Sequence, residues 1–517
     1  MREGPGVQGN KFTRFCVAVI LVFMLVFMLF LFPVSLLRTT AISVGSGRGE
    51  LVSFEYDNFF LNLIMLTMYT ALLYLVFRFV KFIRLKTQVL IMSGLIFITG
   101  IFLVASAKLQ PSEDSYAVTF FARQAARGDY SYYHEYFTFF PYQLGFALYE
   151  EVFFRIFNLV LPNVPEGFSS LALQGMNVLF IILACVSLVY CAGYLFSSLR
   201  VQKLTSVLLI FCLPPVLLST YMYGNIPALG LACFGCWMFL AFQKDRKWYH
   251  GLLCALSLTL AVVLKLNSLI FVVAVTIIWI ICLCRRDKVK SALKSAGFLV
   301  LMLASVLLVR GLPQKYYEAR CECSFGPGIP QISWMAMGMH EGQSCSGWYD
   351  TDYTTSAYAG FDYDGEKTAE FAGEGIKERM GEFSEEPREC LRFFGRKFLS
   401  QWNEPTCQGI WNNQVRSHFS EPGFFYNFIC ETAPRGIAKL MDLYQQLIFF
   451  GFTLGLCLLL KKRDTLTALL PLVILGGMLY HLLFEAKSQH AATYFVLMLP
   501  VAAYGFSRLF MRFGSEK

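Results

Sequence analysis

Apolar residues dominate this chain in long blocks separated by short polar connections. Blocks of roughly twenty apolar residues match the length needed to cross a bilayer core. The runs predict about twelve helices. They lie near 15–37, 59–80, 88–107, 169–196, 204–221, 226–242, 249–264, 268–284, 292–309, 440–460, 465–481 and 491–508. Only Lys265, Leu266 and Asn267 separate 249–264 from 268–284. The first run follows Arg2, Lys11 and Arg14, in the manner of a signal peptide. Its apolar core is longer than such a peptide's and no small-residue cleavage site follows, so it reads as a span.

Two polar segments stand outside this pattern, 108–168 and 310–439. The expected organisation is therefore three helices in 1–107, a first exterior loop in 108–168 and a six-helix block in 169–309. An exterior cap follows in 310–439, then three helices in 440–517. The predicted fold class is an all-α polytopic membrane protein, with amphipathic surface helices in the first loop and a mixed cap from the second.

Composition agrees: 56% hydrophobic, 15% charged and a mean hydropathy of +0.53 exclude a cytosolic enzyme, a disordered chain and a nucleic-acid binder. The net charge of +9 matters through its distribution. Short connections and termini carry more than half of the Lys and Arg, among them Arg2, Lys81, Arg84, Arg200, Arg246, Arg285, Arg286, Lys461 and Lys517. The same segments hold only Glu3, Asp245, Asp287, Asp464 and Glu516 among the acids. The positive-inside rule then predicts a multi-pass cell-membrane protein with both termini cytoplasmic and both large loops extracytoplasmic. No Walker-type glycine loop, His-Glu-x-x-His, metal-spaced Cys/His array or Asn-x-Ser/Thr sequence occurs.

In the first loop, Pro111-Ser112-Glu113-Asp114 reads as a helix start, with Ser112 at the N-cap and a helix running to Arg127 before Gly128. Glu113 and Asp114 either complement the helix dipole or supply a general base at the membrane surface. The aromatic stretch Tyr130–Tyr142 suits an interfacial belt, and secondarily a surface on which sugar rings stack. From Gln143 to about Val160 a surface helix is predicted, with Glu151 and Arg155 spaced for a structural i,i+4 pair.

An acidic pair outside an early span, followed by Gly-Asp129-Tyr130 and then Phe-Pro141-Tyr142-Gln143-Leu-Gly145, resembles the GT-C glycosyltransferases. These are polytopic enzymes that use polyprenyl-phosphate sugars and include relatives of protein O-mannosyltransferases and aminoarabinose transferases. Pro330-Gln-Ile-Ser-Trp334 and His481-Leu-Leu-Phe-Glu485-Ala-Lys487-Ser-Gln-His490 add to the resemblance. The chain departs from it in carrying Glu113-Asp114 where many relatives have Asp-Glu, and in placing two spans before the one that leads into the acidic loop.

The resemblance implies a lipid-linked sugar as donor and an extracytoplasmic glycan, lipid or protein as acceptor. No resident cofactor or metal ligand is assigned, with a divalent cation the one candidate. Displacing a polyprenyl phosphate requires a base for the acceptor hydroxyl and a cation for the developing phosphate charge. Asp114 is the expected base, with Glu113 beside it. Lys487, Arg310, Lys265 and His490 are the expected phosphate ligands, against a plain snorkelling role for Arg310 and a Glu485–Lys487 pair for Lys487. Tyr133, Tyr142, Gln143, Trp334 and Trp348 are the candidates for binding sugar or acceptor, and aromatics near Asn403, Glu404, Asn412 and Asn413 would suit an acceptor glycan. Two other readings stay open. An O-antigen-type ligase or polymerase would rely on Arg416 and His418; a transporter or flippase would carry charges at mid-membrane and repeat symmetry.

The acids of Trp348-Tyr-Asp350-Thr-Asp352 and Asp362-Tyr-Asp364 read as solvated rather than calcium-binding. Residues 366–396 read as a solvated helix pair. Six cysteines, Cys321, Cys323, Cys345, Cys390, Cys407 and Cys430, fall in the second loop, and their even number in an oxidising space suggests disulfides.

Overall fold

A computed structural model describes residues 11–162, 164–284 and 289–513. The chain enters as α1 (Lys11–Leu37), turns through the hairpin β1 (Arg38–Val44) and β2 (Glu50–Tyr56), and continues as α2 (Phe59–Val80) and α3 (Leu85–Ala107). The first loop folds as α4 (Glu113–Ala126), α5 (His134–Phe139) and α6 (Leu144–Val160). Then come α7 (Glu166–Phe196), α8 (Leu199–Ile210), α9 (Leu213–Leu217), α10 (Asn225–Asp245), α11 (Trp248–Leu264), α12 (Leu269–Leu283) and α13 (Val289–Val309). The second loop holds α14 (Leu312–Cys321), α15 (Gln331–Met339), α16 (Thr355–Gly360), α17 (Gly365–Glu385), α18 (Pro387–Trp402), α19 (Gly409–Gln414) and α20 (Phe424–Asn427). The chain ends in α21 (Pro434–Lys462), α22 (Leu469–Leu483) and α23 (Ser488–Phe513).

The fold is the expected all-α polytopic one, and its span count differs. Among the described residues ten helices are long and apolar enough to cross a membrane, or eleven if α8 and the Leu213–Thr220 segment form one broken span. The predicted helix at 249–264 exists as α11, but its 17 residues rise only about 25 Å, short of a core of about 30 Å. The predicted run 204–221 is bent by 44°, because Pro214 and Pro215 follow Leu213 and remove backbone donors. The termini, and Arg285, Arg286 and Lys288 with them, lie outside the described residues.

Burial separates the helices by environment. In the apolar stretch of α23, 83% of residues are buried, against 17% in α2, whose Phe60, Ile64 and Met68 face outward. In a bilayer those outward side chains are in their preferred solvent, and the contacts that hold α23 to α21 are dispersion and close approach rather than expulsion of water.

The hairpin β1–β2 was not anticipated. It pairs antiparallel from Arg38↔Tyr56 to Val44↔Glu50. Its position is fixed by Thr40 N–H to the Asn403 carbonyl at 3.1 Å and by Asn403 Nδ2 to the Arg38 carbonyl at 2.7 Å. Its apolar face, Ile42, Val52 and Phe54, covers Trp348, Cys345 and Ala486. The hairpin, the first loop, the second loop and the turns 221–224, 265–268 and 484–487 thus gather on one face of the helix block. The basic connections meet elsewhere: Lys203 Nζ donates to the Val80 and Lys81 carbonyls, and Lys294 Nζ to that of Arg246.

The helices predicted in the loops are present, and the predicted disulfides are not. Helix α4 starts after Ser112, whose N–H is accepted by Ser115 Oγ at 3.0 Å, and Gly128 stops it with φ of +90°. Helix α6 carries Glu151, buried and bonded to Arg155 at 2.8 Å, while Tyr316 and Tyr317 of α14 donate to the same carboxylate. The charged segment after Asp364 is the helix pair α17 and α18, with the exposed pair Arg392–Glu389 and the largely buried Arg379 paired to Glu382. Asp364 caps α17, accepting from the N–H groups of Glu366 and Lys367, and Asp350 accepts from Asp352 N–H, which accounts for both acidic motifs as turn chemistry. All six loop cysteines are thiols rather than disulfides. Cys321 and Cys323 lie side by side at the end of α14, while the others are apart: Cys345 lies against Trp348, Cys390 against Phe383 and Phe393, and Cys430 against Leu109 and Tyr426.

Candidate active site

Where the loop face meets the helix ends, a cavity of about 410 Å³ opens. Its lining includes Glu113, Asp114, Lys265, Lys487 and His490, with Tyr142 and Trp334 among the aromatics. These residues come from the start of α4, the break between α11 and α12, the turn between α22 and α23, the first turn of α23, the Pro141–Gln143 turn and α15. Interruptions of the apolar pattern, far apart in sequence, therefore converge.

Asp114 sits in the first turn of α4, and Glu113 just before it adopts φ of +49°. A left-handed backbone at a non-glycine residue costs about 1 kcal/mol or more and persists only where its surroundings demand it. Burial pushes the Asp114 carboxyl above the usual aspartate range, against the pull of Lys487 and Lys265.

Lys265 follows α11 in an extended conformation and places its ammonium 4.2 Å from the centre of the Tyr223 ring. Burial draws its pKa down to about 8, although Glu485 and Asp114 oppose the shift. Two glycines let backbone close around this lysine. A Cβ on Gly145 would lie 2.0 Å from the Val263 carbonyl oxygen, and one on Gly224 would lie 2.1 Å from that of Leu264.

Lys487 does not pair with Glu485. Its ammonium lies 2.9 Å from Glu50 of the hairpin. Burial disfavours the charge on Lys487, but Glu50 and Glu485 outweigh it and raise the pKa. Glu485 instead faces His490, 3.9 Å away, and its backbone carbonyl bonds His481 Nδ1 at 2.7 Å. Burial would raise the Glu485 carboxyl, yet His490, Lys487 and Lys265 hold it near about 2. Behind Glu50, Gln408 Nε2 donates to it at 3.2 Å. The buried Glu404 accepts from Gln408 N–H at 2.6 Å and from Ser488 Oγ at 3.0 Å.

Other expected residues stand elsewhere. Arg310 is exposed at the end of α13, where snorkelling accounts for it. Trp348 is buried and donates its indole N–H to Ser400 Oγ at 2.7 Å. Tyr133 packs against Tyr116 and Phe120 outside the cavity. Gln143 lies one layer back and donates to the hydroxyl of Tyr223, which does line the cavity. Arg416 is spent on the Asn412 and Thr220 carbonyls, and His418 on that of Ala107, so neither faces the cavity. Asn403, Glu404, Asn412 and Asn413 are all buried and offer no surface to a glycan.

Residues not foreseen include Tyr221 and Tyr223, delivered by the chain after the Pro214–Pro215 break, and Tyr349, Tyr480 and Glu50. The adjacent prolines were the available signal for the first two. The lining as a whole is a ring of tyrosines around three carboxylates, Glu113, Asp114 and Glu485, and two lysines, Lys265 and Lys487, suited to a ligand with hydroxyls at one end and an anion that meets the lysines at the other.

No family profile and no curated protein matches the chain. Among solved structures, the archaeal oligosaccharyltransferase AglB from Archaeoglobus fulgidus, in complex with an inhibitory peptide and a dolichol-phosphate, aligns with a TM-score of 0.38 and 10% identity. That alignment covers 81% of this chain and 50% of AglB, so the chain spans half the length of that protein. ArnT from Cupriavidus metallidurans, bound to undecaprenyl phosphate, aligns with a TM-score of 0.32 and 14% identity, over 81% of this chain and 77% of ArnT.

Proposed function

We propose that the chain is a membrane glycosyltransferase of the GT-C type that moves one sugar from a polyprenyl-phosphate carrier to an acceptor hydroxyl. The supporting observation is the shared cavity: Asp114, Lys265 and Lys487 line one space at the level where helices give way to loops. A carrier lipid holds its phosphate at that level, with its prenyl tail beside the helices.

In this reading the acceptor O–H gives its proton to Asp114 while its oxygen attacks the anomeric carbon. The bond from that carbon to the phosphate oxygen breaks, and the polyprenyl phosphate leaves with the negative charge. Lys487 and Lys265 stabilise that charge as it forms, and burial makes them worth more than they would be in water. Burial also makes the Asp114 carboxylate a stronger base than one in solution. His490 is assigned to positioning through Glu485, and Tyr142 and Trp334 to the sugar. The loop face is taken as extracytoplasmic, because the basic connections lie on the other ends of the helices. A divalent cation near Glu113 and Asp114 is not required by this chemistry. The ligase alternative loses support because Arg416 and His418 are consumed by backbone carbonyls.

The test is equilibrium binding of a polyprenyl phosphate to detergent-solubilised protein. Lys487→Met should weaken binding about tenfold or more, the scale of one lost charge-assisted contact of about 1.5–3 kcal/mol. Unchanged binding in both Lys487→Met and Lys265→Met would remove the phosphate assignment.

A further inference from the structure

Outside this cavity, the two loops meet at a group of three metal-ligand side chains. A ring nitrogen of His134 and the Sγ atoms of Cys321 and Cys323 all lie within 4.8 Å of one another. We propose that His134, Cys321 and Cys323 form a Cys₂His site for a zinc ion that clamps the first loop to the second.

Three independent features of the local fold point to it. First, the two cysteines are brought to the same side by a specific turn. Helix α14 ends at Cys321, and Glu322 takes the left-handed conformation at φ of +52°. This lets Cys323 N–H bond the Glu318 carbonyl at 3.3 Å and folds Cys323 back beside Cys321. Second, the histidine is already held as metal-ligating imidazoles are: its Nε2 lies 2.6 Å from the Tyr130 carbonyl, which orients the ring through Nε2 and leaves Nδ1 as the nitrogen to ligate. Third, the ring is seated by Phe325, which contacts it edge-on at 5.9 Å.

The spacing is close to what zinc needs. Zn–S bonds of about 2.3 Å in a tetrahedron put sulfurs about 3.8 Å apart, against ligand atoms that already lie within 4.8 Å of one another. Soft thiolates with one imidazole select zinc over calcium or magnesium. Binding releases the two thiol protons to solvent, and water fills the fourth position, since no fourth His, Cys, Asp or Glu joins the group among the described residues. All three residues are partly exposed, so the ion has a route in. The clamp fastens the start of α5, two residues before the cavity-lining Tyr136.

The test is metal content of the full-length protein, stripped under reducing conditions, reloaded with zinc and desalted. One zinc per chain is expected in the wild type and in Cys390→Ser, and at least tenfold less in Cys321→Ser and Cys323→Ser. Because a serine variant could misfold, the wild type is also loaded with cobalt, where a thiolate-to-cobalt charge-transfer band is expected that His134→Asn weakens. Zinc retained by both serine variants, or a reduced wild type that shows no cobalt–thiolate band, overturns the site. A protein purified without reductant that carries a Cys321–Cys323 disulfide and no zinc overturns it equally.

Discussion

The ammonium of Lys487 and the carboxylate of Glu50 lie 2.9 Å apart, although one belongs to the last interhelical turn and the other to a hairpin after the first helix. Glu50 is anchored in turn by Gln408, so the lysine that faces the cavity is held from behind rather than by its neighbour Glu485. Glu50→Gln keeps the shape and removes the charge. Without its partner Lys487 loses its orientation, and the expected result is a rise of about tenfold in the donor KM with a smaller change in kcat. A kcat loss without a KM change would place Glu50 in a different role.

Lys265 sets the alkaline edge of activity. Its pKa, drawn to about 8 by burial, means that the cation is present at neutral pH and is lost as pH rises through that value. Turnover should therefore fall on the alkaline side near pH 8, measured as kcat/KM across a pH series. Lys265→Arg keeps the charge at all accessible pH values and should move that edge upward. An edge that stays in place in the Arg variant would assign it to another group.

Asp114 trades stability for chemistry. Its carboxyl pKa rises on folding, so between the ordinary aspartate value and the raised one the native state holds more protons than the unfolded chain. Stability then decreases as pH rises through that window, and the penalty is fully present above it. Asp114→Asn removes the buried charge, so its thermal midpoint in detergent at neutral pH should equal or exceed that of the wild type. The difference should shrink toward acid pH. A midpoint several degrees lower at neutral pH would mean that the carboxylate is a net structural contact.

Gly145 and Gly224 secure Lys265 through backbone proximity. A Cβ at either position would sit about 2 Å from a carbonyl oxygen of Val263 or Leu264, which cannot swing aside as a side chain does. Gly224→Ala should destabilise by about 1–3 kcal/mol, the range for overpacked sites. It should also depress transfer more than Gly128→Ala, a change at a helix end away from the cavity. Thermal midpoints and turnover of the two variants decide this.

Much of the site was legible because its residues interrupt the apolar pattern. Asp114 follows a Pro-Ser helix start, Lys265 stands in the break between two apolar runs, and Lys487 occupies a very short turn. Such residues have to lie at helix ends, and helix ends on one face converge. Glu50 was not legible, since one acid in a connecting segment becomes significant only through the register of a hairpin and its docking on residues 399–408. Aromatics misled for a related reason. Trp334 lines the cavity and Trp348 fills a core, yet both are tryptophans in the same polar loop, and only packing separates them. The same holds for Arg416, whose buried guanidinium resembles a ligand-binding group in sequence and serves backbone carbonyls in the fold.

The most direct test of the proposed chemistry is single-turnover transfer from radiolabelled polyprenyl-phosphate sugars, a hexose and a pentose panel, by wild type, Asp114→Asn and Glu113→Gln in matched membranes. The general-base role predicts a fall of about 100-fold or more for Asp114→Asn, with polyprenyl-phosphate binding retained and a milder effect for Glu113→Gln. Wild-type transfer by a well-expressed Asp114→Asn protein would contradict it.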